Sequence, residues 1–295
     1  MDITAGNNCF FACMYNLLVK QGMHVTESEL FFCGRGLDLY HTCYALGSSN
    51  FLFVRYSEII RTLGNAYGFS ANILELPDVD ALHEHFENTT EQYFLSFIKN
   101  DLRNNKQAGR HLHSVLFKKN KQNITMIDPY HISTQGKPEV YVKQCQPEDV
   151  FDICEQLISI CVDPNPKKPD VKECARKQLE SFFTDENGGF SVLLTHIRQL
   201  HKSLNDNEDV ESLLYQVRIR FMCVFPYVEE LISERLLYGE NQMDVFLPQW
   251  KAAKDIWEEM IIVLIRLSCK MTTRAIEKLN LVCTKLEAVH KNMVV

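Results

Sequence analysis

The sequence predicts an α+β fold, with a mixed amino-terminal half followed by an all-helical half. Three observations lead there. Apolar residues recur at helical spacing from the first helix onward. A strand–turn–strand pattern surrounds residues 113–128. Strand signals nearly vanish after about residue 149. The 295 residues suit two domains, set here at 1–145 and 146–295.

Residues 9–22 read as a helix, because Phe10, Cys13, Met14, Leu17 and Leu18 fall on one face, Asn7 and Asn8 offer caps, and Gly22 stops it. A short helix starts near Thr26 with Ser28 and Glu29 in its first turn, and Gly34-Arg35-Gly36 breaks the chain. Leu37–Tyr40 alternates like a strand. Residues 57–67 read as a helix closed by Gly68, 74–76 as a short strand, 78–88 as a helix, and the aromatic-rich run 93–98 as a strand. His113–Phe117 and Ile124–Ile127 form a predicted hairpin around the polar turn at 119–122. Val150–Val162 reads as helical. After a proline-rich linker at 163–169, helices are expected over 170–183, 188–204, 208–238 and 244–290. Pro226 interrupts one, Pro248 lies in the first turn of the last, and a break is expected near 269–273.

Composition excludes several classes. Hydrophobic residues make up 46% and charged residues 23%, as in ordinary globular domains. A net charge of −7 without a basic stripe speaks against nucleic acid as a partner. Lys118, Lys119 and Lys121, and Lys167 with Lys168, read as solvated loops, with a landing patch for an acidic partner as the alternative. The eleven cysteines are scattered without a CxxC pair, so no structural metal is expected; they read as reduced thiols of a cytoplasmic protein. No signal peptide is visible at residues 1–4. The longest apolar run, Met260–Ile265, falls far short of the ~20 residues that span a bilayer, so no membrane segment is expected. No glycine-rich phosphate loop occurs, so no cofactor is expected. His196 and His201 are out of phase for one metal, and Glu258 and Glu259 face apart.

The candidate chemistry begins at Cys9. A thiol at the start of a helix feels the positive end of the dipole, which favours the thiolate. The preceding Gly6-Asn7-Asn8 offers backbone N–H groups or an Asn amide to a developing oxyanion. If the hairpin turn is centred between Asn120 and Lys121, His113 lies directly opposite Asp128, close enough for the carboxylate to orient the ring. His111 is the rival base, two residues back. Cys13, one turn into the helix, reads as packing. Arg35 between two glycines suits an anionic substrate group, and Tyr40 and His41 suit a cleft lining.

Taken in order, Asn8–Cys13, Leu17-Leu18, Gly22, Ser28-Glu29-Leu30, Gly34, Gly36 and Tyr40, then the strand at 93–98, the His113 strand and Ile127-Asp128-Pro129, resemble the N-terminal domain of butirosin biosynthesis protein H-like acyltransferases over roughly residues 1–140. The ordering is also similar to the bacteriocin-processing cysteine peptidases of ABC transporters. The resemblance implies a papain-like fold with a Cys9–His113–Asp128 triad and no cofactor. It implies acyl transfer from an acyl carrier protein thioester, through Cys9, to an amine or hydroxyl of a small-molecule or peptidyl acceptor in natural-product biosynthesis. The peptidases carry a Gln before the Cys as oxyanion donor; here Ile3-Thr4-Ala5 holds none, which leaves Asn7 or Asn8 for that role. A cysteine hydrolase with the same triad, thioesterase or peptidase, is the alternative. A non-catalytic scaffold, with the aromatic-rich helices of 208–238 and 244–290 forming a homodimer interface in place of simple core, is the third reading.

Overall fold

The computed structural model describes residues 2–37, 49–75, 78–88, 92–98, 113–120, 123–133, 137–154, 156–184, 214, 224–234 and 240–293. Its elements run α1 (Cys9–Lys20), α2 (Glu27–Cys33), α3 (Ser49–Tyr67), β1 (Phe69–Glu75), α4 (Val79–Asn88), β2 (Gln92–Ile98), β3 (His113–Asn120), β4 (Asn123–Ile132), β5 (Pro138–Cys145), α5 (Pro147–Ile153), β6 (Gln156–Val162), α6 (Val171–Thr184), α7 (224–233), α8 (Glu240–Cys269) and α9 (Thr273–Lys291). The chain is an α+β protein with an antiparallel sheet and a helical carboxy-terminal part. By its contacts it falls into two units, Met1–Gly34 with Ser48–Pro169, and Arg35–Gly47 with Asp170–Val295.

In the first unit, α1 forms where the sequence placed it. Asn8 adopts extended backbone, and its side-chain oxygen accepts from Phe10 N and Phe11 N at 3.0 and 3.2 Å. The helix ends at Lys20, ahead of Gly22 with φ of 85°. Helix α2 opens with a capping box: Thr26 Oγ1 accepts from Glu29 N, and Glu29 Oε2 accepts from Thr26 N.

The six strands are ordered β1-β6-β2-β3-β4-β5, and every pairing is antiparallel. One sheet face carries Phe94, Ile98, Val115, Phe117 and Met126, packed in a core with Leu82 of α4 and with Val150 and Ile153 of α5. Helix α1 is fixed to the sheet by aromatic stacking. The Phe10 ring lies 4.6 Å from Tyr56 of α3, which stacks on Phe97 of β2 at 4.9 Å. Phe11 meets Phe31 of α2 edge-on at 5.2 Å, and all of these rings are buried.

Two strands escape the hydropathy reading. Val150–Val162 is not one helix: α5 ends at Ile153, and β6 occupies 156–162 between β1 and β2. A central strand is covered on both faces, so Leu157, Ile158 and Ile160 are all buried and the alternation that marks a strand is lost. The β-branched Ile158, Ile160 and Val162 were the remaining signal. Strand β5 is an edge whose Tyr141 and Val142 are exposed, and it carried no apolar pattern either. The sheet thus runs past the division at 145/146, and residues 146–295 are not all helical.

The hairpin register also differs. Asn120 pairs with Asn123 and Leu116 with Ile127, which centres the turn between 121 and 122, one residue later than expected. Continued one step, that ladder sets Asp128 across from Val115, so His113 and Asp128 are diagonal rather than direct neighbours. The shift is two residues, an even number, so both side chains stay on one face.

In the second unit, α8 and α9 pack together, with the break at 270–272 where it was expected. Pro248 sits well inside α8, not in its first turn, because α8 begins at Glu240. Trp250 and Trp257 of α8 are buried with Phe225 and Phe246. Trp257 donates to His290 Nε2 at 3.2 Å. Burial pushes His290 down to about 3, so it accepts as a neutral imidazole. Glu259 pairs with Lys278 and Lys285 of α9, whose hydrogen bonds lower its carboxyl below the usual value. No helix among the described residues is long and apolar enough to cross a membrane.

Phe10 fills the seam between α1, α3 and β2, so Phe10→Ala is expected to cost about 3–5 kcal/mol of unfolding free energy, read from the urea midpoint of an otherwise unchanged chain.

Candidate active site

The site starts from the end of a helix meeting the end of a strand. Cys9 is the first residue of α1, and His113 is the first residue of β3. The His113 side chain and the backbone N–H of Ser114 are the hydrogen-bonding neighbours that act on the Cys9 thiol. His113 Nε2 lies 3.0 Å from Asp128 Oδ2. The ring N–H is not aimed along that line, so the contact acts mainly through charge.

Asp128 is placed by an irregularity in β4. It pairs with Tyr141 of β5, but the register then shifts between Asp128 and His131. The bulge lets Asp128 Oδ1 accept from Tyr130 N at 2.9 Å while Oδ2 faces the imidazole. Pro129, which has no N–H to lose, sits within the bulge. Its carbonyl accepts from Gly6 N at 2.9 Å. The strand that carries the carboxylate therefore also holds the loop that carries the sulfur.

The electrostatics favour an ion pair. Burial pushes the Cys9 thiol up. The hydrogen bond and positive charge of His113, with the Ser114 N–H, outweigh burial and leave it below its ordinary value of 9.0. Burial pushes His113 down, but the contacts with Asp128 and Cys9 raise it to about 10. The two shifts are complementary, since each charged group stabilises the other. Cys13, one turn further on and fully buried, goes the opposite way: burial, then the negative charge of Cys9, Asp128 and Glu27, raise its thiol well above the usual value. Of the two cysteines, only the one at the helix start is prepared to ionise.

The loop before Cys9 is ordered by a residue the sequence reading missed. The carboxylate of Glu27, at the start of α2, accepts from Asn7 N at 3.0 and 3.1 Å and from Asn8 N at 3.0 Å. Nothing local in the sequence marks Glu27, because its partners lie about twenty residues away. The expectation that backbone N–H groups of Gly6-Asn7-Asn8 face an oxyanion is overturned, since all three have acceptors. The Asn8 side-chain oxygen caps α1 instead. Among the described residues, Cys9 N–H meets no acceptor, which leaves it as the backbone donor beside the sulfur.

Other candidates fare differently. Arg35 is exposed with φ of 60°, in the left-handed region, and belongs to the second unit. Tyr40, His41, His111, Lys121, His196 and His201 lie outside the described residues. Lys119 is only 5% exposed, and Lys118 lies 5.4 Å over the Tyr93 ring, so the lysines of β3 are not the solvated patch that their spacing suggested. The described cysteines are free thiols, and among the described residues no cluster of His, Cys, Asp or Glu is arranged to hold a metal ion. No protein-family model matches this chain, and no curated protein matches it.

The pH dependence follows from the two shifts. Cys9 ionises below its ordinary value, and His113 keeps its proton until about pH 10, so the thiolate–imidazolium pair fills the window between. Iodoacetamide should alkylate Cys9 first among the described thiols, with a rate that rises through a midpoint below 9. In His113→Ala that midpoint should move up, and the rate near neutral pH should fall by at least about tenfold. Asp128→Asn should shift it by less than His113→Ala does, because losing the charge that holds the imidazolium is offset by losing a carboxylate that itself opposes the thiolate.

Proposed function

We propose that Cys9, His113 and Asp128 are the nucleophile, base and orienting carboxylate of a papain-like acyltransferase acting on thioesters. The observation that supports this reading is the set itself: a thiol hydrogen-bonded to an imidazole that sits 3.0 Å from a buried carboxylate. The choice of transfer, and of an acyl carrier protein as donor, comes from the resemblance of residues 1–140 to the butirosin protein H-like domain.

The Cys9 thiolate attacks the thioester carbonyl, forming a C–S bond, and the carbonyl electron pair moves to oxygen. Cys9 N–H donates to that oxyanion. Collapse expels the donor thiolate, which takes the proton of the His113 imidazolium. A thiolate enters and a thiolate leaves, so this half costs little. The neutral His113 then takes a proton from an amine or hydroxyl as it attacks the acyl-enzyme, and collapse returns the Cys9 thiolate beside the imidazolium. Asp128 keeps the ring oriented and its positive form stabilised in both halves. Transfer requires that the acceptor outcompete water, so it depends on positioning and on solvent exclusion at the acyl-enzyme.

Intact-protein mass after incubation with an acyl thioester should rise by one acyl group. The gain should vanish in Cys9→Ala and survive in Cys13→Ala, and His113→Ala should slow it by about 10²–10⁴-fold. With a wide panel of amines, amide should form; free acid alone across the panel would replace transfer by hydrolysis.

A further inference from the structure

Seven consecutive backbone N–H groups surround the nucleophile, from Gly6 to Ala12. Gly6 N donates to Pro129 O, Asn7 N and Asn8 N to the Glu27 carboxylate, Phe10 N and Phe11 N to Asn8 Oδ1, and Ala12 N to Asn8 O. Cys9 N–H is the exception. The Glu27 carboxylate touches the loop closely: a Cβ at Gly6 would come within 2.6 Å of Glu27 Oε2 and 2.5 Å of Ala12 Cβ, so only glycine fits there. Glu27 is itself fixed, as the first residue of α2 beside the Thr26–Glu29 capping box.

We propose that Glu27 is a positioning residue for acyl transfer at Cys9: by gathering the N–H groups of Asn7 and Asn8 behind the loop, it turns the next peptide so that Cys9 N–H faces the reacting carbonyl as the oxyanion donor. The proposal rests on the reading of Cys9 as an acylated nucleophile. Glu27 acts through backbone geometry and not through its charge on the sulfur. The groups that set Cys9 are His113, the Ser114 N–H and Asp128, whereas the Glu27 charge is felt at Cys13. A direct electrostatic role would work against the thiolate, since a carboxylate disfavours a second negative charge nearby.

Two probes of the full-length chain separate the geometric role from a structural one. Iodoacetamide alkylates a thiolate by displacing iodide at a saturated carbon, with no oxyanion. p-Nitrophenyl acetate acetylates it by addition to the carbonyl: the C–S bond forms, the electron pair moves to oxygen, and collapse expels p-nitrophenolate. Both products are read at Cys9 by peptide mass, and nitrophenolate release gives the acetylation rate. In Glu27→Ala, acetylation should fall by about 10²-fold, while alkylation stays within about twofold of wild type and its pH midpoint does not move. Glu27→Gln has one carbonyl oxygen in place of two carboxylate oxygens, so it keeps part of the N–H set and should fall between. If Glu27→Ala does not fold, as judged by its thermal transition, Glu27→Gln carries the test.

Equal losses of both rates would make Glu27 a fold or sulfur-placement residue and overturn the proposal. So would unchanged acetylation, or a shifted alkylation midpoint, or a wild-type Cys9 that p-nitrophenyl acetate does not acetylate. A wild type that is acetylated by the ester with the Glu27 dependence described, yet forms no acyl-enzyme with carrier-type thioesters, would keep Glu27 in its role and reject the donor.

Discussion

The hydrogen bond from Gly6 N to Pro129 O is the constraint on which the site depends. It ties the loop that ends at Cys9 to the bulge that begins at Asp128, two segments more than a hundred residues apart. It links the loop before the sulfur-bearing helix directly, backbone to backbone, to the strand that carries the carboxylate. The aromatic stack of Phe10, Tyr56 and Phe97 does the coarse placement of α1 against the sheet, and the backbone bond fixes the last residues. Packing is non-directional and limits position; hydrogen bonds are directional and limit orientation.

Three charged groups share this small volume, and their balance follows from their order. Burial alone would keep Cys9 and His113 neutral. The Asp128 carboxylate, itself buried and accepting Tyr130 N–H, offsets the burial of the imidazolium, and the imidazolium offsets that of the thiolate. Cys13 is fully buried and has no imidazole among the causes of its shift, and its thiol moves up. Two cysteines one helical turn apart thus move in opposite directions, because His113 and the Ser114 N–H act on one and not on the other.

The second unit is built on different physics. Its described helices are held by buried aromatic rings, by the Trp257–His290 hydrogen bond and by the Glu259 ion pairs with two lysines. His290 is a buried imidazole with no carboxylate among the causes of its shift, and burial drives it neutral. One residue type thus takes opposite charge states in the two units, according to whether a carboxylate stands beside it.

The sequence by itself determined what local chemistry determines. The start of α1 at Cys9, the start of α2 near Thr26, the β2 strand and the β3–β4 hairpin were legible, because caps, periodicity and turn residues act over a few positions. The pairing of His113 with Asp128 was legible for a related reason: a register error of two residues preserves the face. Tertiary structure decided the rest. It placed β6 in the middle of the sheet, where burial on both faces erased the alternation that would have announced a strand. It gave Glu27 to the Asn7 and Asn8 amides, and Pro129 O to Gly6, contacts that no spacing rule reaches. It buried Lys119, which in a linear reading looked solvated. Secondary structure answers to neighbours along the chain, whereas the acceptor of a loop N–H is whatever group folding brings within 3 Å of it.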